Sequence, residues 1–131
     1  MMGTYMKKLL TSLSMAGALA LGAQPAMAQD IEAARAASAA GDYEAALAEL
    51  RPLAEQSDAE AQTYLGAMYA AGEGVARDMV RAYMWFDLAA ALGNDNGRRY
   101  RDMAARSLSP EQIAEAKRLA TQCQARDYQG C

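Results

Sequence analysis

The chain has 131 residues, with 13 lysines and arginines against 16 aspartates and glutamates, and no histidine. Without histidine it lacks the usual general base, the common metal ligand and the ordinary Ser-His and Cys-His dyads. Its acidic balance argues against general binding to nucleic acid or to an anionic membrane surface, and it holds no phosphate-loop signature and no paired-cysteine metal spacing.

In chain order, Met6-Lys7-Lys8 is a short basic start, Leu9 to Ala23 is apolar or small, and Pro25 precedes the small-x-small triplet Ala26-Met27-Ala28. These are the three regions of a secretory signal peptide over residues 1–28, cleaved between Ala28 and Gln29. The apolar run is too short for a comfortable membrane span, so no span is expected once it is removed. Met1 to Tyr5 precede the basic region, which leaves Met6 as an alternative start. Residues 29–131 would then fold as one small domain with a modest core. Without Lys7 and Lys8 it carries 11 basic and 16 acidic residues, a net charge of −5.

Ile31 to Ala40 is alanine-rich and predicts helix 1. Gly41-Asp42 supplies a stop and an N-cap. Helix 2 follows from Tyr43 to about Gln56, with Tyr43, Ala46, Leu47, Leu50 and Leu53 on one face. Pro52 lies inside it and predicts a kink or a loosened turn. Ser57-Asp58 caps helix 3, whose face reads Ala61, Tyr64, Leu65, Met68 and Tyr69. Gly72-Glu73-Gly74-Val75 ends it. The two glycines could cradle a phosphate ahead of a helix, but the acidic middle residue and the lack of a following lysine favour a plain hairpin turn.

Asp78 caps helix 4, whose inner face is predicted as Ala82, Trp85, Phe86, Ala89 and Leu92. Gly93 ends it, and Asn94 caps helix 5, Asp95 to Arg106. Ser109 as cap and Pro110 at the first helical position open helix 6, running from Glu111 to about Gln124. Ile113, Ala116, Ala120 and Cys123 lie on one side of it. Nothing reads as a strand, so the fold class is all-α, a stack of α-hairpins with about six helices. Cys123 and Cys131 are the only cysteines, and in an exported protein an even pair reads as a disulfide. Closing the loop 123–131 would contribute roughly 2.5 kcal/mol in the chain-entropy model.

The chain matches itself at a spacing of 36 residues. Asp42 falls on Asp78, Ala46 on Ala82, Leu50 on Phe86, Tyr64 on Tyr100, and Ser57-Asp58 on Gly93-Asn94. A period of this length belongs to stacked helical hairpins, each burying its apolar face against its neighbours. The stretch 59–93 resembles a Sel1-like repeat, a relative of the tetratricopeptide repeat. The residues that carry the resemblance are Leu65-Gly66, Tyr69, Gly72, Gly74-Val75, Asp78, Ala82, Trp85, Ala89-Ala90 and Gly93. Residues 41–61 resemble the second half of a preceding repeat, with Ser57 where the family often has glycine. Residues 94–106 resemble the first helix of a following repeat without its Leu-Gly and Gly-x-Gly-Val signs, 108–116 the closing helix of bacterial members, and 95–124 together would form terminal capping helices. The resemblance implies a short right-handed α-hairpin solenoid. It also implies scaffold roles for Gly66, which lets the partner helix approach, for Gly72 and Gly74 in the turn, and for Trp85 in the core.

Any binding chemistry is then sought on residues that the repeat pattern leaves free. Tyr64, Tyr83 and Tyr100 can pack a ring while the hydroxyl reaches a partner. Arg98 and Arg101, with Arg99 and Arg106, form a basic cluster that could receive an acidic segment. The same residues also fit a half-buried stripe and a solvated face. Glu111 and Glu115 share one helix and do not face each other across a cleft, as a glycosidase pair must. Read with the resemblance, the chain is expected to be a non-enzymatic adaptor in the periplasm, or secreted, holding a protein or peptide, with no cofactor and no metal. Two alternatives remain. One is a cell-envelope enzyme or binding protein for peptidoglycan or β-lactam-like molecules, from whose cysteine-rich relatives this chain departs by lacking a cysteine pair in each repeat. The other is a capping subunit that docks end-on to another repeat protein.

Overall fold

The computed structural model describes residues 30–131; the signal peptide expected over residues 1–28 and the expected cleavage position between Ala28 and Gln29 lie outside the described residues. Six helices follow one another: α1 (Ile31–Ala39), α2 (Tyr43–Glu55), α3 (Ala59–Ala71), α4 (Met79–Ala91), α5 (Asp95–Ala105) and α6 (Pro110–Ala125). There is no strand among the described residues. The fold is all-α, a stack of helical hairpins.

The helices begin where short polar side chains satisfy their first free N–H groups. Asp42 accepts from Ala45 N, Asp58 from Ala61 N, Asp78 from Arg81 N and Asn94 from Gly97 N. Ser109 and Gln112 form a reciprocal capping box at α6, with Pro110 just inside. Each such cap is worth about 1 kcal/mol. The caps repeat the 36-residue period, and so do the hydrogen bonds of the turns before α3 and α5. Asp58 N donates to Leu53 O and Asn94 N to Ala89 O, both at 3.0 Å. Ser57 and Gly93 occupy the same step with φ of 67° and 93°.

The core is centred on α4, which packs against α3, α5 and α6. Trp85 is its largest buried side chain and is 2 % exposed. Neighbours on three sides bury more of α4 than a single stripe: Tyr83, Met84 and Leu88 are enclosed along with Ala82, Trp85, Phe86 and Ala89. The inner face predicted for this helix is therefore too narrow. It is also wrong at its end, because Leu92 follows the last helical residue, beyond these neighbours, and is 43 % exposed. Gly66 sets the spacing of α3 and α4, since a Cβ there would lie 2.6 Å from Phe86 Cε1. Pro52 neither ends nor interrupts α2. It sits one turn from the end of the helix, and Gln56 N still donates to Pro52 O at 3.1 Å.

Candidate binding groove

α3 and α5 are equivalent helices one period apart, and the space between them is the candidate site. Toward their C-terminal ends lies an apolar cavity of about 450 Å³. Ala67, Ala70 and Ala71 of α3 leave the room, Met79 and Phe86 of α4 form the floor, and Tyr100 and Met103 of α5 form the far wall. Toward their N-terminal ends lies a cavity of about 250 Å³ with more polar walls, bounded by Arg35, Glu60, Thr63, Tyr64, Asn94 and Asn96. Ala67 and Tyr100 line both cavities, so the two form one groove with an apolar and a polar end.

The walls are fixed by contacts that also build the fold. The Tyr100 ring packs against Phe86 with centroids 5.6 Å apart and planes tilted by 53°, so a buried core residue backs an exposed groove residue. At the polar end Arg35 bridges Glu32 of its own helix and Glu60 of α3. The Thr63 hydroxyl donates to Ala59 O at 2.8 Å and stands 3.2 Å from Asn94 Oδ1. That asparagine oxygen also accepts from Gly97 N at 2.7 Å. Thr63 and Asn94 thereby tie the start of α5 to α3.

The structure brings Tyr64 and Tyr100 to one cavity. Tyr64 is half-buried, and Tyr100 is 38 % exposed. Tyr83 is a correction: it is 5 % exposed and belongs to the core, so it presents no free ring to a partner. Its phenol pKa is raised above 10.0, chiefly by burial and then by the Asp87 carboxylate. The spacing of Ala82, Trp85, Phe86 and Ala89 leaves Tyr83 outside the predicted face. It is buried because α4 is covered on more sides than one helical stripe requires.

Arg101 is also a correction as a free contact. Its guanidinium donates to Asp87 at 3.1 Å and to Asp102 at 3.2 Å, and its side chain is 26 % exposed. Burial works against its charge, but the two carboxylate hydrogen bonds outweigh that and raise its pKa. It fastens α5 to α4. Arg98 is exposed and paired with Asp95, and Arg99 donates to Asn96. Neighbouring acids and an amide, on α5 itself and, for Asp87, on α4, thus occupy three of the arginines predicted as a basic cluster. Met103, which the sequence analysis does not single out, is the most exposed large apolar residue described, at 57 %. Its position three residues after Tyr100 is the signal that places both on one face.

Gly72 ends α3 in the left-handed conformation, and Gly74 shares that conformation. A Cβ on Gly74 would lie 2.9 Å from Leu47 Cδ1 and from Tyr43 Cβ. This loop is packed on α2, which leaves no cradle for a phosphate. Glu111 and Glu115 stand exposed on α6, and hydrogen bonds from Arg118 lower the Glu115 pKa. Among the described residues the buried polar side chains are Gln62 and Thr63, neither a carboxylate.

Cys123 and Cys131 are bonded, with Cα atoms 5.6 Å apart. Among the described residues no helix is long and apolar enough to cross a membrane. The family model for the Sel1 repeat matches residues 59–94, which are α3, the glycine turn, α4 and the turn into α5. No curated protein and no solved structure matches the chain.

Proposed function

We propose that this Sel1-like repeat protein is a non-enzymatic interaction module that holds a segment of a partner protein in the groove between α3 and α5. Sel1 repeats are in general protein-interaction modules, which suggests a protein partner. The observation that carries the reading for this chain is the groove itself: an apolar cavity with Tyr100 and Met103 exposed at its rim, continuous with a polar one. An aromatic ring and a methionine at the mouth of an apolar pocket suit a bulky side chain presented by a peptide. The large exposed apolar residues described are Leu92, Tyr100 and Met103. They lie at the end of α4 and on α5, away from the outer helices α1 and α6, and this favours the groove over end-on docking to another repeat protein.

The reading includes export through the signal peptide at 1–28 and residence of residues 29–131 in the periplasm, with the disulfide in keeping with that route. The test places a photo-reactive residue at Met103 and, as a control, at Lys117 on the exposed face of α6. Adducts are expected from position 103 and not from 117, and Met103→Glu should reduce partner capture by about tenfold, since it puts a charge into an apolar pocket. Equal adducts from both positions, or capture unaffected by Met103→Glu, would remove the groove as the site. Sequencing of the exported product should begin at Gln29; a product that retains residues 1–28 would remove the proposed processing.

A further inference from the structure

After α6 the chain turns back and runs toward the middle of the molecule. Gln129 Nε2 donates to Glu55 O of α2 at 3.1 Å, and Arg81 of α4 donates to Cys131 O at 3.0 Å. Gly130 and Cys131 thereby form one wall of a cavity of about 360 Å³ between α2, α3 and α4. Its other walls include Arg51, Glu55, Tyr69, Arg81 and Trp85. This cavity is separate from the groove and shares no lining residue with it.

The forces that hold residues 126–131 in place are few. Both hydrogen bonds to the body are exposed, where water replaces them at little cost. Asp127 and Tyr128 adopt φ of 51° and 64°, the left-handed region that side-chain-bearing residues avoid. In favour of the closed position stand the half-buried Tyr128 ring and the covalent bond. The bond is anchored at Cys123, which is 2 % exposed on α6, while Cys131 is half-buried. The anchored end therefore belongs to the core, and the reachable end belongs to the segment. Ala116 and Ala120 pack α6 into the core without help from the bond.

We propose that residues 126–131 are a thiol-sensitive strap, closed over the arginine-lined cavity while the disulfide is intact and released when a dithiol reductant cleaves it. A reductant thiolate attacks Cys131 Sγ, and Cys123 Sγ leaves and takes a proton. The second reductant thiol then displaces Cys131 Sγ, which is protonated in turn. The reductant is left as a disulfide and the chain as two thiols, a transfer of two electrons and two protons. Release frees Arg81 from the Cys131 carbonyl and uncovers one edge of Trp85, which is 2 % exposed while the strap is closed.

Trp85 is the only tryptophan in the chain, so its accessibility reports the strap directly. Acrylamide quenching of Trp85 is compared in the oxidised protein, the dithiol-reduced protein and the Cys131→Ser variant. The quenching constant is expected to rise about threefold in the latter two, as a local opening would produce, with the helical circular dichroism unchanged at 25 °C. In the oxidised chain, Arg81→Gln combined with Gln129→Ala should leave quenching low, because the bond alone keeps the strap closed. Equal quenching in all forms would overturn the proposal. So would loss of helical signal on reduction, which would make the segment part of the fold, or high quenching in the oxidised double variant, which would make the hydrogen bonds the fastening.

Discussion

The hairpin α3–α4 and the hairpin α5–α6 follow one period apart, yet they are held by different means. α3 and α4 each bury seven residues, including Leu65, Met68, Trp85 and Leu88. α5 buries two, Gly97 and Ala104, and α6 three, Ala116, Ala120 and Cys123. The first hairpin has a hydrophobic core in its own sequence. The second has small residues that let it lie close against α4, and it relies on other fastenings. These are the Arg101–Asp87 ion pair and the Thr63–Asn94 contact. A hairpin covered on fewer sides has less room for buried apolar residues, so polar links take their place. The groove lies where these two kinds of hairpin meet, with a wall from each.

The sharpest way to break this comparison is Trp85→Ala. Removal of the largest side chain in the core should cost about 3–5 kcal/mol, read as a lower urea midpoint with the slope preserved. Because α5 and α6 lean on α4, all the helical signal should be lost in one transition. A variant close to wild type, or a second transition belonging to α5–α6, would contradict the assignment of the core to the first hairpin. Gly66→Ala should have the next largest effect. Its Cβ would meet Phe86 Cε1 at 2.6 Å and the Ala82 carbonyl oxygen at 3.2 Å. Backbone on one side and a packed ring on the other leave little room, so a cost of about 1–3 kcal/mol is expected. Phe86 also backs Tyr100, so this variant should weaken partner capture at the groove more than its loss of stability explains. Unchanged stability would show that the two helices can move apart freely.

The same contrast explains what could be read from the sequence. The caps Asp42, Asp58, Asp78, Asn94 and Ser109 act locally, through a side chain and an N–H three residues away. The 36-residue register is likewise a property of the chain, and it places Tyr64 and Tyr100 at equivalent points. The sequence does not reveal the burial of Tyr83 or the exposure of Leu92, because burial on α4 depends on how many helices surround it, and one helix's periodicity reports only one face. The pairing of Arg101 is not legible in the sequence, because its partner Asp87 lies 14 residues away on another helix. The groove's apolar end is assembled from alanines of α3 and methionines of α4 and α5. Small residues announce close packing in a sequence, and only the spacing of the helices shows that here they leave a cavity.

The smallest effect tests the period itself. Ser57 and Gly93 stand at the same turn, with the same hydrogen bonds around them, and both have positive φ. Glycine meets no steric resistance in this region, whereas serine pays roughly 1–2 kcal/mol for its Cβ. Ser57→Gly should therefore stabilise the protein, less the greater freedom that glycine gives the unfolded chain, for a net gain of about 0.5–1 kcal/mol. Gly93→Ser should lose a similar amount. A Cβ at Gly93 finds nothing within 4 Å, so the loss would come from backbone conformation alone. Opposite shifts of similar size in the melting temperatures of the two variants would show that the turns are physically equivalent. A destabilised Ser57→Gly would mean that the serine side chain contributes to its turn in a way the 36-residue register does not capture.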